Sequence, residues 1–206
     1  MAATDGKSEP VDSRLQDAVG SAQRAIAMRE EALDARLRLW RARLRRQPQA
    51  SERGRLLELS LDAVLSVTSA DFANIQLCSA QGRGLVLRSH RGFGQRYRDF
   101  FNVVDGDASA SGLAWREKRS VVVEDVLFSP IFIGSNELQV LLDADVRAMT
   151  STPLVRFGRQ PIGMVSAHFR QPRAHVDSDL VRFERLAEAI ACMLDGRELT
   201  RRRTAM

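Results

Sequence analysis

The sequence predicts an α+β domain in which an antiparallel sheet is covered by helices on both faces. Its predicted elements run helix, hairpin, helices, strand, helix, hairpin, helix, which gives five strands with helices before, between and after them. The last hairpin, in residues 146–172, carries apolar side chains on both faces of both strands. In a hairpin with one solvent-exposed face, apolar and polar residues would alternate along each strand. A second layer must therefore cover the second face, and a ligand cavity beneath that layer becomes a hypothesis.

The elements of this domain follow from periodicity and from turn residues. Its first helix is predicted from Glu52 to Thr68, with Ser51 as the N-cap after Pro48. The other predicted elements are strands at 73–78 and 85–90, a helix at 94–104, a loop with a short helix at 105–119, a strand at 120–126, a helix at 136–144, the last hairpin, and a final helix at 178–201. In that hairpin, Val165 and its same-face neighbours are provisionally assigned to the terminal helices, and Met164, Ser166 and His168 to the middle helices, although alternation alone does not decide which face takes which layer.

A separate amphipathic helix is predicted ahead of the domain, in residues 13–50, which include the link to the domain. Its apolar positions recur about every 3.6 residues, so it needs a partner surface. Leu33, Leu37 and Trp40 lie on this stripe and are predicted to form a dimer interface together with Phe183 and Ile190 of the final helix. Residues 1–12 are expected to be disordered, residues 51–200 to form the main domain, and residues 201–206 to form a basic tail.

Composition narrows the function classes. The net charge of +5 resides at the two ends, because residues 54–196 sum to −1, and this disfavours a nucleic-acid groove in the core. The arginine cluster between Arg36 and Arg46 is interpreted as a solvated or protein-contacting helix face. No apolar run reaches a membrane-spanning length and no signal peptide is visible, so a cytoplasmic location is expected. Cys78 and Cys192 lack metal or disulfide spacing and are interpreted as buried thiols.

Several stretches, taken together, resemble the GAF domain family. "ADFANIQLC", "RGFGQRYRDFF", "DASASGLAWREKRSVVVEDVLFSPIF" and "VRAMTSTPLVRFGRQPIGMVSAHFRQP" follow one another at the spacing of GAF domains that precede bacterial sensor histidine kinases. The resemblance covers about residues 53–197. It implies a five- or six-stranded antiparallel sheet, terminal helices on one face that often dimerise, and a small-molecule cavity on the other face under short helices and loops.

The resemblance leaves the ligand and any cofactor open. The middle segment has no cysteine for bilin attachment, the cyclic-nucleotide signature is absent, and no clear haem or metal site is visible. Where many relatives read "SACG", this chain reads "SASG", with Ser111 in place of the nucleophilic cysteine of a sulfoxide-reducing GAF enzyme. Thiol chemistry is therefore disfavoured.

The candidate ligand-binding residues lie in the segments predicted to surround the cavity. For each of them, packing or local capping is the competing interpretation. They are Phe101, Ser111, Trp115, Asp125, Phe132, Met149, Ser151, Met164 and His168.

Three functions remain open from the sequence. The first is a stand-alone sensory module that binds a small molecule and transmits the binding event through its terminal helices. The signal would reach a homodimer partner or, in a bacterial two-component system, a histidine kinase or other signalling protein. The second is a ligand-free dimerising scaffold whose cavity is filled by its own side chains. The third is a free methionine sulfoxide reductase, against which the positions of the two cysteines speak. The first is favoured narrowly over the second.

The amphipathic helix gives a direct test of dimerisation. Replacing Leu33, Leu37 and Trp40 with polar residues removes the apolar stripe, so the chain is expected to become monomeric while the main domain stays folded. Light scattering after size exclusion measures the mass, and circular dichroism measures the fold. A triple variant that stays dimeric would show that this helix is not the interface.

Overall fold

A computed structural model describes residues 52–79, 84–104, 109–155 and 160–204, together with residues 20, 21, 23, 24, 27, 28, 31, 32, 35, 38 and 39. Side chains are described up to residue 194 in the last helix. By internal contacts the chain divides into a first unit, Met1–Ala42, and a second unit, Arg43–Met206. The described residues of the first unit are helical, and Leu33, Leu37, Trp40 and Ser51 lie outside the described residues.

Five helices and six strands make up the described part of the second unit. In chain order they are α1 (Glu52–Thr68), β1 (Phe72–Cys78), β2 (Leu85–Arg91), α2 (Gln95–Phe100), β3 (Val103–Val104), α3 (Ala110–Glu117), β4 (Val121–Val123), α4 (Asn136–Asp143), β5 (Ala148–Pro153), β6 (Gly163–Phe169) and α5 (Asp177–Thr204). None of the helices in these stretches combines the length and the apolar character needed to cross a bilayer.

All six strands join one antiparallel sheet in the order β3-β2-β1-β6-β5-β4. The predicted fold class is therefore confirmed, with six strands instead of the five assigned by periodicity. The additional strand, β3, pairs with the start of β2. The sequence predicted that the helix over 94–104 continues through these residues. The helix instead ends at Phe100, and Val103 and Val104 are extended because β2 offers them an edge to pair with.

The terminal helices cover one face of the sheet. Helices α1 and α5 pack on each other, α1 also packs on β1 and β6, and α5 packs on β5. Phe183 and Ile190 of α5 are 2% and 0% exposed, so both are buried within the chain's own core. This corrects their assignment to an interface between chains. Cys192 of the same helix is exposed, which corrects its interpretation as a buried thiol.

The middle helices cover the opposite face. A continuous apolar cluster there joins Phe72 and Met164 of the sheet to Tyr97 of α2, Ala114 of α3 and Leu141 of α4. The division of the last hairpin's residues between two faces matches the structure, and the structure decides the layer left open by the sequence, since Met164 belongs to this cluster. The last hairpin can carry apolar side chains on both faces because helices cover both of them.

Gly163 shows how closely the two central strands approach. It lies opposite Leu77 in the β1–β6 pair, and a Cβ at this position would overlap the backbone oxygen of Gln76 and lie 2.9 Å from the Leu77 Cα atom. Both obstacles are backbone atoms of the central strand, which cannot rotate away as a side chain can.

Gly163→Ala is expected to lower the free energy of unfolding by about 1–3 kcal/mol, because the added methyl group forces the central strands apart. Urea denaturation measures the change. Gly94→Ala is the matched control, since a Cβ there meets no heavy atom within 4 Å. The control should cost under about 1 kcal/mol, as expected of a helix N-cap glycine. Equal losses in the two variants would contradict the steric account.

Candidate functional site

Five polar side chains form a continuous patch on the sheet face under the middle helices. They are Asn74 and Gln76 of β1, Ser151 of β5, and Ser166 and His168 of β6, and each is at most 2% exposed. Strand register places them together, because Asn74 lies opposite Ser166 and Ser166 lies opposite Ser151. Directly opposed residues in antiparallel strands project from the same face. We call these five residues the polar floor.

Three hydroxyl groups meet at the centre of the polar floor. The Ser151 and Ser166 Oγ atoms are 2.8 Å apart, and the Ser111 Oγ atom lies 3.5 Å and 3.4 Å from them. Helix α3 positions Ser111, because Ser109 caps that helix by accepting a hydrogen bond from the Gly112 amide at 2.9 Å. This helix therefore touches the floor through a hydroxyl group at its first turn.

The two amide side chains of the floor are each satisfied on one side only. The Gln76 Nε2 atom donates to the backbone oxygen of Phe101 at 3.2 Å, and the Asn74 Nδ2 atom donates to the Tyr97 hydroxyl at 2.9 Å. The Gln76 Oε1 and Asn74 Oδ1 atoms are buried and have no hydrogen-bond partner among the described residues. A buried acceptor without a donor costs about 1–3 kcal/mol, so a polar partner at this site would be stabilising.

His168 and Tyr97 are neutral parts of the same network. Burial lowers the pKa of His168 to about 3 and raises the pKa of Tyr97 above its ordinary value. The Tyr97 hydroxyl lies 3.5 Å from the His168 Nε2 atom, and the Phe93 ring stacks on Tyr97 and meets the His168 ring edge-on. Neither group is charged near neutral pH, so the floor recognises by hydrogen bonding and not by charge.

Helices α2 and α4 form a roof over the floor. Phe101, at the end of α2, Phe132, just before α4, and Leu141 of α4 close the space from above. An ion pair between Arg96 and Asp143 joins the two helices at the surface. Glu137 on α4 is partly buried, and its charge contributes to the raised pKa of Tyr97. Desolvation raises the pKa of Glu137 to about 7, and its Oε2 atom has no partner among the described residues.

The cavity between floor and roof is nearly closed. It leaves about 10 Å³ for the centre of a water molecule, which is about the minimum that a single water needs. A larger space of about 40 Å³ lies on the opposite sheet face, beside Phe169 and Phe183. The charged residues there already pair, Arg173 with Asp179 at 2.8 Å and His175 with Asp177 at 2.9 Å. The smaller cavity has the unsatisfied polar groups, so we treat it as the candidate site.

The structure brings most of the sequence-predicted ligand-binding residues to this cavity. Four of them line it: Phe101, Ser111, Phe132 and Met149. Three lie on the same sheet face in contact with the floor or its apolar surround: Ser151, Met164 and His168.

Two predicted residues lie apart from the cavity lining. Trp115 is half-buried at the margin of the apolar cluster. Asp125 accepts a hydrogen bond from the Leu127 amide at 3.0 Å and pairs with Arg147 at 2.8 Å. The Arg147 guanidinium, with that amide, holds the pKa of Asp125 below its ordinary value. The alternative interpretation of Asp125 as a capping residue describes what the structure shows.

Sequence reasoning missed Asn74, Gln76, Tyr97 and Glu137. A signal for the first two existed, because the strand "FANIQLC" places Phe72, Asn74 and Gln76 on one face and small or aliphatic residues on the other. Such alternation ordinarily indicates a face in water. Only the tertiary structure shows that a roof covers this polar face.

No cluster of three or more histidine, cysteine or acidic side chains able to hold a metal is present among the described residues. Cys78 donates its thiol to the Pro161 oxygen at 3.3 Å, and burial raises its pKa. The arrangement at the cavity is therefore one of neutral donors and acceptors, suited to binding a small polar molecule.

Comparison with known proteins agrees with this architecture. The family model described as "GAF domain" matches residues 50–195. A domain of a protein described as a two-component sensor histidine kinase from Sinorhizobium meliloti 1021 is 22% identical, with a TM-score of 0.60, covering 75% of this chain and 99% of that one. The GAF domain of a phosphoenolpyruvate-protein phosphotransferase from Coxiella burnetii is 15% identical, with a TM-score of 0.66, covering 84% and 97%.

An enzyme has a similar fold. The free methionine-R-sulfoxide reductase from Neisseria meningitidis, solved in complex with its substrate, is 19% identical to this chain, with a TM-score of 0.52, and covers 75% of this chain and 97% of that one. At these identities the similarities establish the fold alone. No curated protein shows significant sequence similarity to the chain.

The buried carboxyl of the roof predicts a specific pH dependence. The folded-state pKa of Glu137 is raised to about 7 from an ordinary value of 4.5, so between these values the folded chain holds a proton that the unfolded chain releases. Its contribution to stability is therefore present below pH 4.5 and is lost as the pH rises through 7. Glu137→Gln should stabilise the protein by about 1–3 kcal/mol at pH 8 and by almost nothing at pH 4. Urea denaturation at both pH values measures this, and an equal gain at each would show that the substitution acts through packing.

Proposed function

This chain belongs to the GAF domain family, a family of sensory and signalling modules, and on that premise we propose that it senses a small molecule bound between the polar floor and the roof. Occupancy of the cavity is relayed through the terminal helices to a second copy of the chain or to a signalling partner such as a histidine kinase. The fold alone does not select this function, since one fold hosts many activities, and the proposal therefore stands on the chemistry of the cavity.

The observation that supports the proposal most strongly is the polar floor itself. A sheet face buried under helices is ordinarily apolar, because each buried polar group costs free energy unless it is hydrogen-bonded. Here two amide oxygens, Asn74 Oδ1 and Gln76 Oε1, are buried and lack partners among the described residues. Residues selected only for packing would not leave two such groups side by side, whereas a ligand with donors would satisfy both.

Binding of anything larger than a water requires the roof to move. The Arg96–Asp143 ion pair that joins α2 and α4 is 68% and 32% exposed at its two side chains, and exposed pairs contribute little to stability. Helix α2 is held to the floor by the hydrogen bonds that Asn74 and Gln76 donate to the Tyr97 hydroxyl and to the Phe101 oxygen at its end. Outward movement of α4, which carries Leu141, would open the cavity and keep both hydrogen bonds.

A direct chain of contacts leads from the cavity to a terminal helix. Helix α3 carries Ser111 at the polar floor and ends before Ser120. The Ser120 hydroxyl lies 3.0 Å from the Thr152 hydroxyl of β5 and donates to the Glu184 carboxylate of α5 at 2.7 Å. Displacement of α3 by a ligand would move Ser120 and so alter its hydrogen bond to Glu184 of α5. We propose this route for the relay.

A ligand-free scaffold is the second candidate function, and one observation favours it. The cavity is almost filled by its own side chains, because Phe132, Met149 and Met164 are each at most 5% exposed and leave about 10 Å³. In this alternative the domain serves only to hold the terminal helices in place. The two candidates differ in whether a molecule ever occupies the cavity.

Native mass spectrometry of freshly purified full-length protein distinguishes these functions. We expect a discrete extra mass on the chain, and we expect Ser166→Val to lose it, because a methyl group replaces the hydroxyl and a second methyl group intrudes on the hydroxyl cluster. Ser178→Val, at an exposed position of α5, is the matched control and should keep the mass. A bare chain that also shows no thermal stabilisation with candidate metabolites would favour the scaffold instead.

A further inference from the structure

The two unsatisfied acceptors define what a ligand must offer. The Gln76 side chain has a fixed orientation, because its Nε2 atom donates to the backbone oxygen of Phe101 and that oxygen can only accept. Its Oε1 atom is therefore the group left without a partner among the described residues, in a side chain that is 1% exposed. A molecule that satisfies this atom must carry an N–H or O–H donor.

Asn74, two residues earlier on the same strand face, has a second amide oxygen that requires a donor. Its Nδ2 atom donates to the Tyr97 hydroxyl, which leaves Oδ1 without a partner among the described residues, in a side chain that is 2% exposed. Residues i and i+2 of a strand are roughly 6–7 Å apart at their Cα atoms. The ligand must therefore present donors at two separated positions.

The lining disfavours a negatively charged ligand. The lining residues that the structure describes include no lysine or arginine, and the histidine of the floor is neutral because burial lowers the pKa of His168 to about 3. Burying an anion without a cation or several donors carries a large desolvation cost. The floor instead leaves two amide oxygens, which only accept, together with the His168 Nδ1 atom, which donates or accepts according to its tautomer.

A positively charged ligand is disfavoured for a related reason. Among the described residues no carboxylate lines the cavity, and the nearby Glu137 is largely protonated below neutral pH because desolvation raises its pKa to about 7. A buried cation without an ionised partner also carries a large desolvation cost. An uncharged donor is the remaining complement to this site.

We propose that the ligand of this cavity is an uncharged molecule that presents N–H donors to Gln76 and Asn74, in the chemical class of amides and ureas. The proposal rests on the proposed function, because it names the class of ligand for the same cavity. Tyr97 and Ser111, which line the cavity, then offer hydroxyl donors to the ligand's own carbonyl group, while Phe132 and Met149 pack against its apolar part.

Four planar probes of equal heavy-atom count test this class: urea, guanidinium, acetone and acetate. They share a trigonal shape and differ in charge and in donors. Titration of each into the wild-type protein at pH 6, followed by ¹H–¹⁵N correlation spectra, reports on the side-chain amide groups of Asn74 and Gln76. Probe concentrations in the millimolar range avoid denaturation, since unfolding by urea scales per molar.

We expect urea to give saturable shifts at these two amides with at least tenfold tighter binding than any of the other three probes. Gln76→Met keeps the side-chain volume, removes the acceptor and should weaken urea binding at least tenfold. Gln171→Met is the matched control, because Gln171 is an exposed glutamine of the loop between β6 and α5, away from the cavity lining, and it should leave urea binding unchanged. The wild-type comparison of probes does not depend on either variant folding.

The outcomes separate this inference from the proposed function. Binding of acetone as tight as that of urea would overturn the requirement for donors, and tighter binding of acetate or guanidinium would overturn the requirement for an uncharged ligand. In each of these cases the cavity still binds small molecules and the proposed function stands. If none of the four probes gives a saturable shift at Asn74 or Gln76, the inference is overturned. If, in addition, no extra mass accompanies the purified chain, the proposed function fails with it.

Discussion

The pairing of β1 with β6 is the interaction on which the rest of the structure depends. It joins segments about ninety positions apart and forms the centre of a six-stranded sheet, with β2 and β5 added on either side. Its register alone decides which side chains share a face. A shift of one residue would turn Asn74 and Gln76 toward the terminal helices and replace them with the aliphatic Ile75 and its neighbours. The close approach at Gly163 fixes that register against the backbone of β1.

The two faces of this sheet have different chemistry. The face under α1 and α5 is an apolar core, with Leu61, Val165 and Leu186 fully buried, and the hydrophobic effect there stabilises the domain. The face under the middle helices carries buried hydroxyl and amide groups that are only partly satisfied. A well-packed core on one side allows the other side to keep groups that a ligand, and not the fold, can satisfy.

The same asymmetry affects how a signal could travel. The roof consists of short helices, one of them only six residues long, and its surface ion pair is exposed. The terminal helices are longer and rest on an apolar core. Regions with few buried contacts open at lower free energy than the core does. Motion would therefore start at the roof and reach α5 through fixed polar contacts such as that between Ser120 and Glu184.

The sequence by itself determined the fold class, the order of the elements and the assignment of both hairpins. Periodicity is a local property, so a strand of alternating residues or a helix with an apolar stripe can be identified without knowledge of its neighbours. Phe101, Ser111, Phe132 and Met149 could be placed near a cavity because the resemblance implies one under the middle helices and loops, and all four line the cavity of the structure.

Only the tertiary structure decided the chemistry of the cavity. The polar alternation of β1 is equally consistent with a face in water, and the burial of Gln76 follows from the roof, which is distant in sequence. Strand β3 is extended because a free edge of β2 accepts it, and its two residues carry no periodic signal of their own. Phe183 is also an apolar residue of the last helix whether it faces its own domain or a second chain. Which of these surfaces covers it depends on tertiary packing, and sequence periodicity does not contain that information.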